Sequence, residues 1–308
     1  MFMHPFSLYL YTVLIWGSTF FAIKFQLGEV PAEHSIVYRF ALASVILLFW
    51  CFFKRLPMRF SLHQHKWMLM QGVFLFGANY ILVYHATPHL PSGLVAVVFS
   101  AIVLMNIANG ALFLKRKVEP RAVVAAIIGL VGIALVFAPE FEVLEGGVAT
   151  STDQSVILGL GLSMLGTYTA SLGNMISMRN QQAGLPVVQT NAYGMGYGAL
   201  LLLTLILARG ESLVFGSQAS FYLSLGYLSV FGSILAFGSY LTLLGKIGPE
   251  KASYSMVLFP IVALTLSTLF EGYQWTPSAM FAVGLVLLGN LLIISRPGRL
   301  AKLATTRT

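Results

Sequence analysis

Stretches of about 20 residues with almost no charge recur along this 308-residue chain, and nothing constrains its fold more. A helix rises about 1.5 Å per residue, so about 20 apolar residues cross the hydrocarbon layer of a bilayer. Ten such stretches are read, at 6–26, 34–53, 67–86, 92–114, 122–138, 155–178, 187–208, 220–244, 253–272 and 279–295. Pro, Gly and charge collect between them, as in "EVPAEH", "KRLPMRFSLHQHK", "PEFEVLEGGVATSTDQ" and "RNQQAGLP", which is the composition of turns. These breaks are short, so no domain is expected outside the membrane. The alternating ten-residue segments of an outer-membrane barrel are absent. Composition agrees: 9% of the residues are charged, against about 25% in an ordinary soluble domain, and mean hydropathy is +0.84. The expected fold is all-α integral membrane, with ten transmembrane helices. The N-terminus lacks the basic region of a secretory signal, so the first stretch is expected to stay in the membrane.

Charge orients the chain. With the N-terminus inside, 15 of the 18 basic residues fall on the cytoplasmic side. They are Lys54, Arg55, Arg59 and Lys66; Lys115, Arg116, Lys117 and Arg121; Arg179; Lys246 and Lys251; and Arg296, Arg299, Lys302 and Arg307. Lys24, Arg39 and Arg209 remain outside. This follows the positive-inside rule and places both termini in the cytoplasm. The net charge of +8 then holds topology and meets anionic lipid. It does not imply nucleic-acid binding; the bilayer and a small-molecule substrate are the expected partners, and the expected place is the cytoplasmic (inner) membrane. Cys51 is the sole cysteine, which excludes an internal disulfide and a cysteine metal site. His63 and His65 offer two ligands without a third, and read as a solvated loop. No metal or cofactor is expected, and no Walker A sequence is present to use ATP.

The chain also repeats itself. "LFLKRKVEP" (Leu112 to Pro120) aligns with "LFEGYQWTP" (Leu269 to Pro277), and Gly132 falls on Gly289 at the same offset of 157. "FSAIV" (Phe99 to Val103) falls on "FPIVA" (Phe259 to Ala263) at 160, and "WGST" (Trp16 to Thr19) on "LGTY" (Leu165 to Tyr168) at 149. A duplication is the reading: residues 1–140 and 155–308 are two five-helix repeats within one transmembrane domain, joined by an outer linker at 139–154. Five is odd, so the second copy enters the membrane from the opposite side. Such inverted repeats recur in secondary transporters, with the substrate site at their interface near the midplane.

The ten-helix 5+5 pattern, the early "WGSTFFAIKF", the "YRFALAS" of the second span and the "GPEKAS…FP" entry to the ninth resemble the EamA-type exporters of the drug/metabolite transporter superfamily. The resemblance covers nearly the whole chain. It implies export of amino acids, some of them aromatic, or of other small metabolites and drugs. Two positions depart from the family pattern. Ser100 stands where members often have a proline, which Pro260 keeps in the second half. Glu271 matches a common glutamate, whereas the first half has Leu114.

Candidate site residues fall in two groups. Lys24, Arg39, Glu33 and Glu271, with Glu29 nearby, lie toward the outer side. They form either snorkelling and structural pairs or an outer gate whose ion pairs break on opening, since ionisable groups within spans are costly and usually functional. Ser163, Thr167, Ser171 and Asn174 share one face of the sixth span. Tyr80 and Tyr84 stand a turn apart in the third with Asn79 adjacent, Phe99 and Asn106 share about one face of the fourth with Asn109 nearby, and the eighth carries Ser229, Ser233 and Tyr240. Small polar side chains also pack helices in lipid, so the amides and aromatics carry more weight. The candidate cavity lining is Trp16, Thr19, Asn79, Tyr80, Tyr84, Phe99, Asn106, Tyr168, Ser171, Asn174 and Pro260. Such a cavity suits a small zwitterion or an aromatic metabolite. No mid-membrane arginine clamp for phosphate is evident. Gly194 and Gly198 form a G-x-x-x-G, used either in packing within one bundle or in dimerisation; a monomer is expected. No Asp or Glu lies mid-span, which favours substrate-driven facilitated export over proton antiport. The expected function is therefore export of small metabolites, foremost amino acids, by alternating access. A sugar-phosphate or nucleotide-sugar exchanger is the alternative. An enzyme reading, a membrane-embedded transferase, has only His63 and His65 beside basic residues as a hint.

Overall fold

The computed structural model describes residues 5–115, 118, 120–136, 151–243 and 254–294. The linker up to residue 150, the "GPEKAS" entry to the ninth span, and Arg116, Lys117, Lys246, Lys251, Arg296, Arg299, Lys302 and Arg307 of the cytoplasmic charge set lie outside the described residues. Every regular element described is helical. In order these are α1 (Pro5–Ile23), α2 (Ala32–Phe53), α3 (Leu62–Gln71), α4 (Asn79–Ala86), α5 (Ser92–Phe99), α6 (Ile102–Leu114), α7 (Pro120–Val136), α8 (Ser151–Gln182), α9 (Val187–Ala208), α10 (Ala219–Tyr227), α11 (236–243), α12 (Tyr254–Phe270) and α13 (Pro277–Ile294). Seven stretches of the described residues are long and apolar enough to cross a membrane, and α7, α12 and α13 contribute shorter apolar helices. The chain is a multi-pass membrane protein.

Local chemistry sets the helix ends. Pro31, Pro91 and Pro186 stand just before α2, α5 and α9, and Pro120 and Pro277 open α7 and α13. There a missing N–H costs nothing, because the first turn has no intrahelical acceptor for it. Ser61 and Gln64 form a capping box at α3. Gly28 and Gly184 carry positive φ after the first helix of each half, where a side chain would be strained.

Three stretches depart from a plain α-helix. A 3-10 turn, Lys24–Gln26, follows α1. A π-helical segment, Gly72–Ala78, joins α3 to α4, and another, Leu228–Leu235, joins α10 to α11. The two π segments lie at an offset of about 156 in the sequence, the spacing at which the chain repeats. A turn at Ser100–Ala101 breaks α5 from α6, with the Ser100 hydroxyl bonding back to the Val97 carbonyl. Its counterpart Pro260 sits inside an unbroken α12.

Helix packing rests on small residues, as it does where lipid removes the hydrophobic drive between helices. α7 lies along α13, α2 along α9, and α1 along α12. A Cβ on Gly132 would stand 2.8 Å from the Ala282 carbonyl oxygen, and one on Gly289 would stand 2.7 Å from that of Ala125. The offset of 157 maps Gly132 onto Gly289 and Ala125 onto Ala282, so the two contacts exchange under the repeat. The G-x-x-x-G face of α9 is covered within the bundle: Gly194 meets Phe76, and Gly198 meets the Gly72 carbonyl. Large apolar side chains such as Phe49, Phe52, Leu112, Leu223, Leu269 and Phe281 lie exposed on the outside, as lipid-facing positions require.

Candidate functional site

A cavity of about 40 Å³ opens among α1, the Gly72–Ala78 π segment, α4, α5, the start of α6, α8, α11 and α12. That is room for roughly three waters, less than a metabolite needs. Its walls are aromatic. Phe20 stacks on Phe259 (centroids 5.7 Å apart) and meets Phe99 edge-on at 5.7 Å. Trp16 packs on Phe237 and Tyr240 at 5.0 and 5.1 Å. Phe99 and Phe259 are repeat equivalents at the offset of 160, one from each half.

Of the expected lining, Trp16, Thr19, Asn79, Tyr80, Phe99 and Asn174 meet at this cavity. Tyr84 does not line it. It stands behind Tyr80, buried and donating to Gln26 Oε1 at 2.7 Å. Ser171 is taken up by Asn109, which donates to its hydroxyl at 2.9 Å. Asn106 lies off the cavity with its Oδ1 buried and without a partner among the described residues. Tyr168 is 41% exposed and belongs to the outer surface of α8. Pro260 is not in the lining; its neighbour Phe259 is. Tyr240 joins the lining from the polar stripe of the eighth span, and sequence reasoning missed Phe20 and Phe237. The aromatic spacing of the early "WGSTFF" was the available signal for Phe20.

The four residues of the expected outer gate do not gather into one cluster. Lys24 pairs with Glu271 at 3.2 Å. The same Glu271 oxygen accepts from the Ser92 backbone N–H and from the Ser267 hydroxyl, both at 2.8 Å. It thereby ties the ends of α1, α5 and α12 together. Glu33 instead meets His85 at 3.1 Å, joining α2 to α4. Arg39 reaches no acid among the described residues. It is 1% exposed. Its Nε donates to Ser233 at 3.0 Å, and its two terminal nitrogens lie 3.4 Å from the Tyr84 and Tyr80 hydroxyls. The guanidinium also lies 4.5 Å over the Tyr80 ring, a favourable place for a desolvated cation. The π segment of the eighth span holds it in place, since Ser229 bonds the Arg39 carbonyl and Ser233 the side chain.

A second buried polar set lies on the opposite side of the cavity along the chain. Gln71 donates to Asn191 Oδ1, and Asn180 donates to Gln71 Oε1, both at 3.0 Å. It links α3, α9 and α8, one turn beyond the lining residue Leu75. The cavity thus sits between two buried polar networks.

His63 lies 3.2 Å from Arg179, which stacks over Trp67, and His65 lies 2.7 Å from the Tyr197 hydroxyl. Among the described residues no group of three or more His, Cys, Asp or Glu comes together as a metal site would require. Cys51 is buried and free.

The profile of the EamA-like transporter family matches residues 6–138 and again residues 156–295. The chain belongs to the EamA-like transporter family. The double match covers nearly all of it, at the spacing of the internal repeat. Among curated relatives it is 29% identical to the "Uncharacterized inner membrane transporter YedA" of Escherichia coli (strain K12), over 92% of this chain and 90% of the relative. It is 27% identical to the "Protein PecM" of Dickeya dadantii (strain 3937), over 92% and 89%. A solved crystal structure superposes with a TM-score of 0.66 over 94% of this chain and 96% of that one. At 15% identity that likeness concerns the fold alone. This EamA-like chain is therefore a membrane transporter, and its cavity is the candidate place for solute.

Proposed function

We propose that this transporter exports small metabolites, foremost amino acids with aromatic side chains, from the cytoplasm across the inner membrane by alternating access. The observation that carries this reading is the aromatic cavity between Phe99 and Phe259, equivalent residues of the two halves. A site at the interface of two related halves is where rocking of one against the other exposes it to either side in turn. The exchangeable contacts at Gly132 and Gly289 support two five-helix repeats of opposite topology, completing ten spans with both termini inside. The lining is mostly ring surface with a few polar atoms, which suits an amphipathic solute. The cavity is tight and flanked by polar networks on both sides, so uptake of a solute requires one network to separate.

The test is counterflow in proteoliposomes preloaded with one unlabelled solute at a time. Aromatic amino acids are expected to accelerate uptake of trace label over empty liposomes. Absence of acceleration by any amino acid overturns the substrate class. A phosphorylated solute is the second reading, favoured by the buried Arg39 that meets no acid among the described residues. Acceleration by phosphate esters alone would select it.

A further inference from the structure

Three polar side chains at the cavity carry unused hydrogen-bonding capacity. Tyr240 is 1% exposed, and its hydroxyl has no partner among the described residues. Asn79 is 2% exposed; its amide nitrogen donates to the Leu75 carbonyl, while its Oδ1 has no partner among the described residues. Tyr80 accepts from Arg39, which occupies its oxygen and leaves its own proton without an acceptor among the described residues. A buried polar group left short of a partner is costly, so two unpaired atoms and one unused phenol proton around a single cavity are a chemical template. The two phenols offer donors and the amide offers an acceptor.

The charge beside them has a sign. Arg39 touches the cavity wall from behind: a Cβ on Gly232 would lie 2.8 Å from the Thr19 methyl and 3.1 Å from an Arg39 terminal nitrogen. Its neighbours Ser233, Tyr80 and Tyr84 are all neutral side chains. Rings and hydroxyls hold the guanidinium, but among the described residues no counter-ion meets its charge, so an anion at the cavity would meet a field that nothing neutralises.

We propose that this cavity selects a carboxylate: the Tyr80 and Tyr240 hydroxyls donate to it, Arg39 holds and polarises the Tyr80 phenol from behind, and Asn79 Oδ1 accepts from the ammonium of the same molecule. The proposal rests on the amino-acid reading above and deepens it by naming the groups that read the α-carbon substituents. Arg39 is a positioning residue. Bound water is expected to fill the small cavity until the rings separate and the solute replaces it.

Three probes of one shape separate the contributions: L-phenylalanine, 3-phenylpropionate, which keeps the carboxylate alone, and phenethylamine, which keeps the ammonium alone. Their binding is read from the thermal shift of the purified protein, and their action from competition in counterflow. L-phenylalanine is expected to bind best and 3-phenylpropionate to compete, with phenethylamine at least tenfold weaker than either. Tyr240→Phe removes a hydroxyl that has no partner, so the unliganded protein should melt no lower than the parent. It should nevertheless bind L-phenylalanine at least tenfold more weakly. Arg39→Met should erase the preference for 3-phenylpropionate over phenethylamine, and Arg39→Lys should restore part of it. Phenethylamine competing as well as L-phenylalanine, undiminished binding of L-phenylalanine by Tyr240→Phe, or an unchanged preference in Arg39→Met overturns the carboxylate site while leaving amino-acid transport standing. Counterflow of a cationic or neutral solute, with no response to any amino acid, overturns both.

Discussion

Glu271 shows how one side chain acts at several contacts. A single carboxylate oxygen accepts from Lys24, Ser92 and Ser267, so three helices end on one atom. The Ser92 N–H belongs to the open first turn of α5, where a carboxylate both satisfies the donor and complements the helix dipole. The Lys24 half of the arrangement is weaker, because Lys24 is 35% exposed at its side chain and solvent screens the pair. Glu271→Ala is therefore expected to destabilise the protein by about 1.5–3 kcal/mol, read by thermal unfolding in detergent. Glu271→Gln keeps an acceptor oxygen and is expected to cost under about 1 kcal/mol. Equal losses in the two variants would show that the ion pair, not the capping, holds the helix ends. Lys24 thus acts locally. It is a lysine at the end of its helix, paired across to α12, while the buried charge at the cavity is Arg39.

Among the elements, the two third-in-repeat spans stand apart. Each carries a π segment, Gly72–Ala78 or Leu228–Leu235. A π turn widens the helix and shifts the register of the residues after it, and such turns concentrate at functional sites. In the first, the shift precedes Asn79 and Tyr80; in the second, it presents the Gly232 carbonyl to Trp16 Nε1 at 3.4 Å and Ser233 to Arg39. The α7–α13 pair is the opposite case, two regular helices in close reciprocal contact. Each glycine there faces the partner's backbone, which cannot retreat as a flexible side chain would. Gly132→Leu and Gly289→Leu are each expected to destabilise by about 1–3 kcal/mol through overpacking. Their double variant should fall short of the sum, because the first substitution already separates the helices that the second would crowd. Additive losses, measured as shifts in unfolding midpoint, would argue that the two contacts are independent.

The proposal for the whole molecule is that its halves run in opposite directions. Matching turns must then face opposite sides of the membrane. The turn after α1 and the turn after α8 are such a pair, and each presents an exposed residue, Glu29 and Ala183. In a Cys51→Ala background, Glu29→Cys is expected to react with a membrane-impermeant maleimide in intact cells. Ala183→Cys should react only after permeabilisation. Labelling of both from one side would exclude the inverted arrangement. The same experiment tests the charge bias, since Lys54, Arg55 and Arg179 are placed inside by the positive-inside rule.

Hydropathy in the sequence determined the medium and the helical class, while the ten spans and the duplication are expectations read from spacing. Each depends on composition or periodicity, which the bilayer reads directly as a solvent. The family likeness was legible through "WGSTFFAIKF", "YRFALAS" and "GPEKAS…FP". The cavity was legible only in part. Trp16, Asn79, Tyr80, Phe99 and Asn174 line it, but Ser171, read on one face with Asn174, bonds Asn109 instead, and Tyr168, taken from the internal match, is exposed. Helical periodicity gives a face and not its neighbour, and a π turn changes the face partway along a span. The partners of Lys24, Glu33 and Arg39 were decided only by tertiary structure, because the residues that meet them lie far along the chain on other helices. The offset between the halves suggests two copies, and the family profile matches twice at that spacing. Only the packing of Gly132 on Ala282 and Gly289 on Ala125, with Phe20 held between Phe99 and Phe259, shows where they meet, because contact depends on position in space rather than order along the chain.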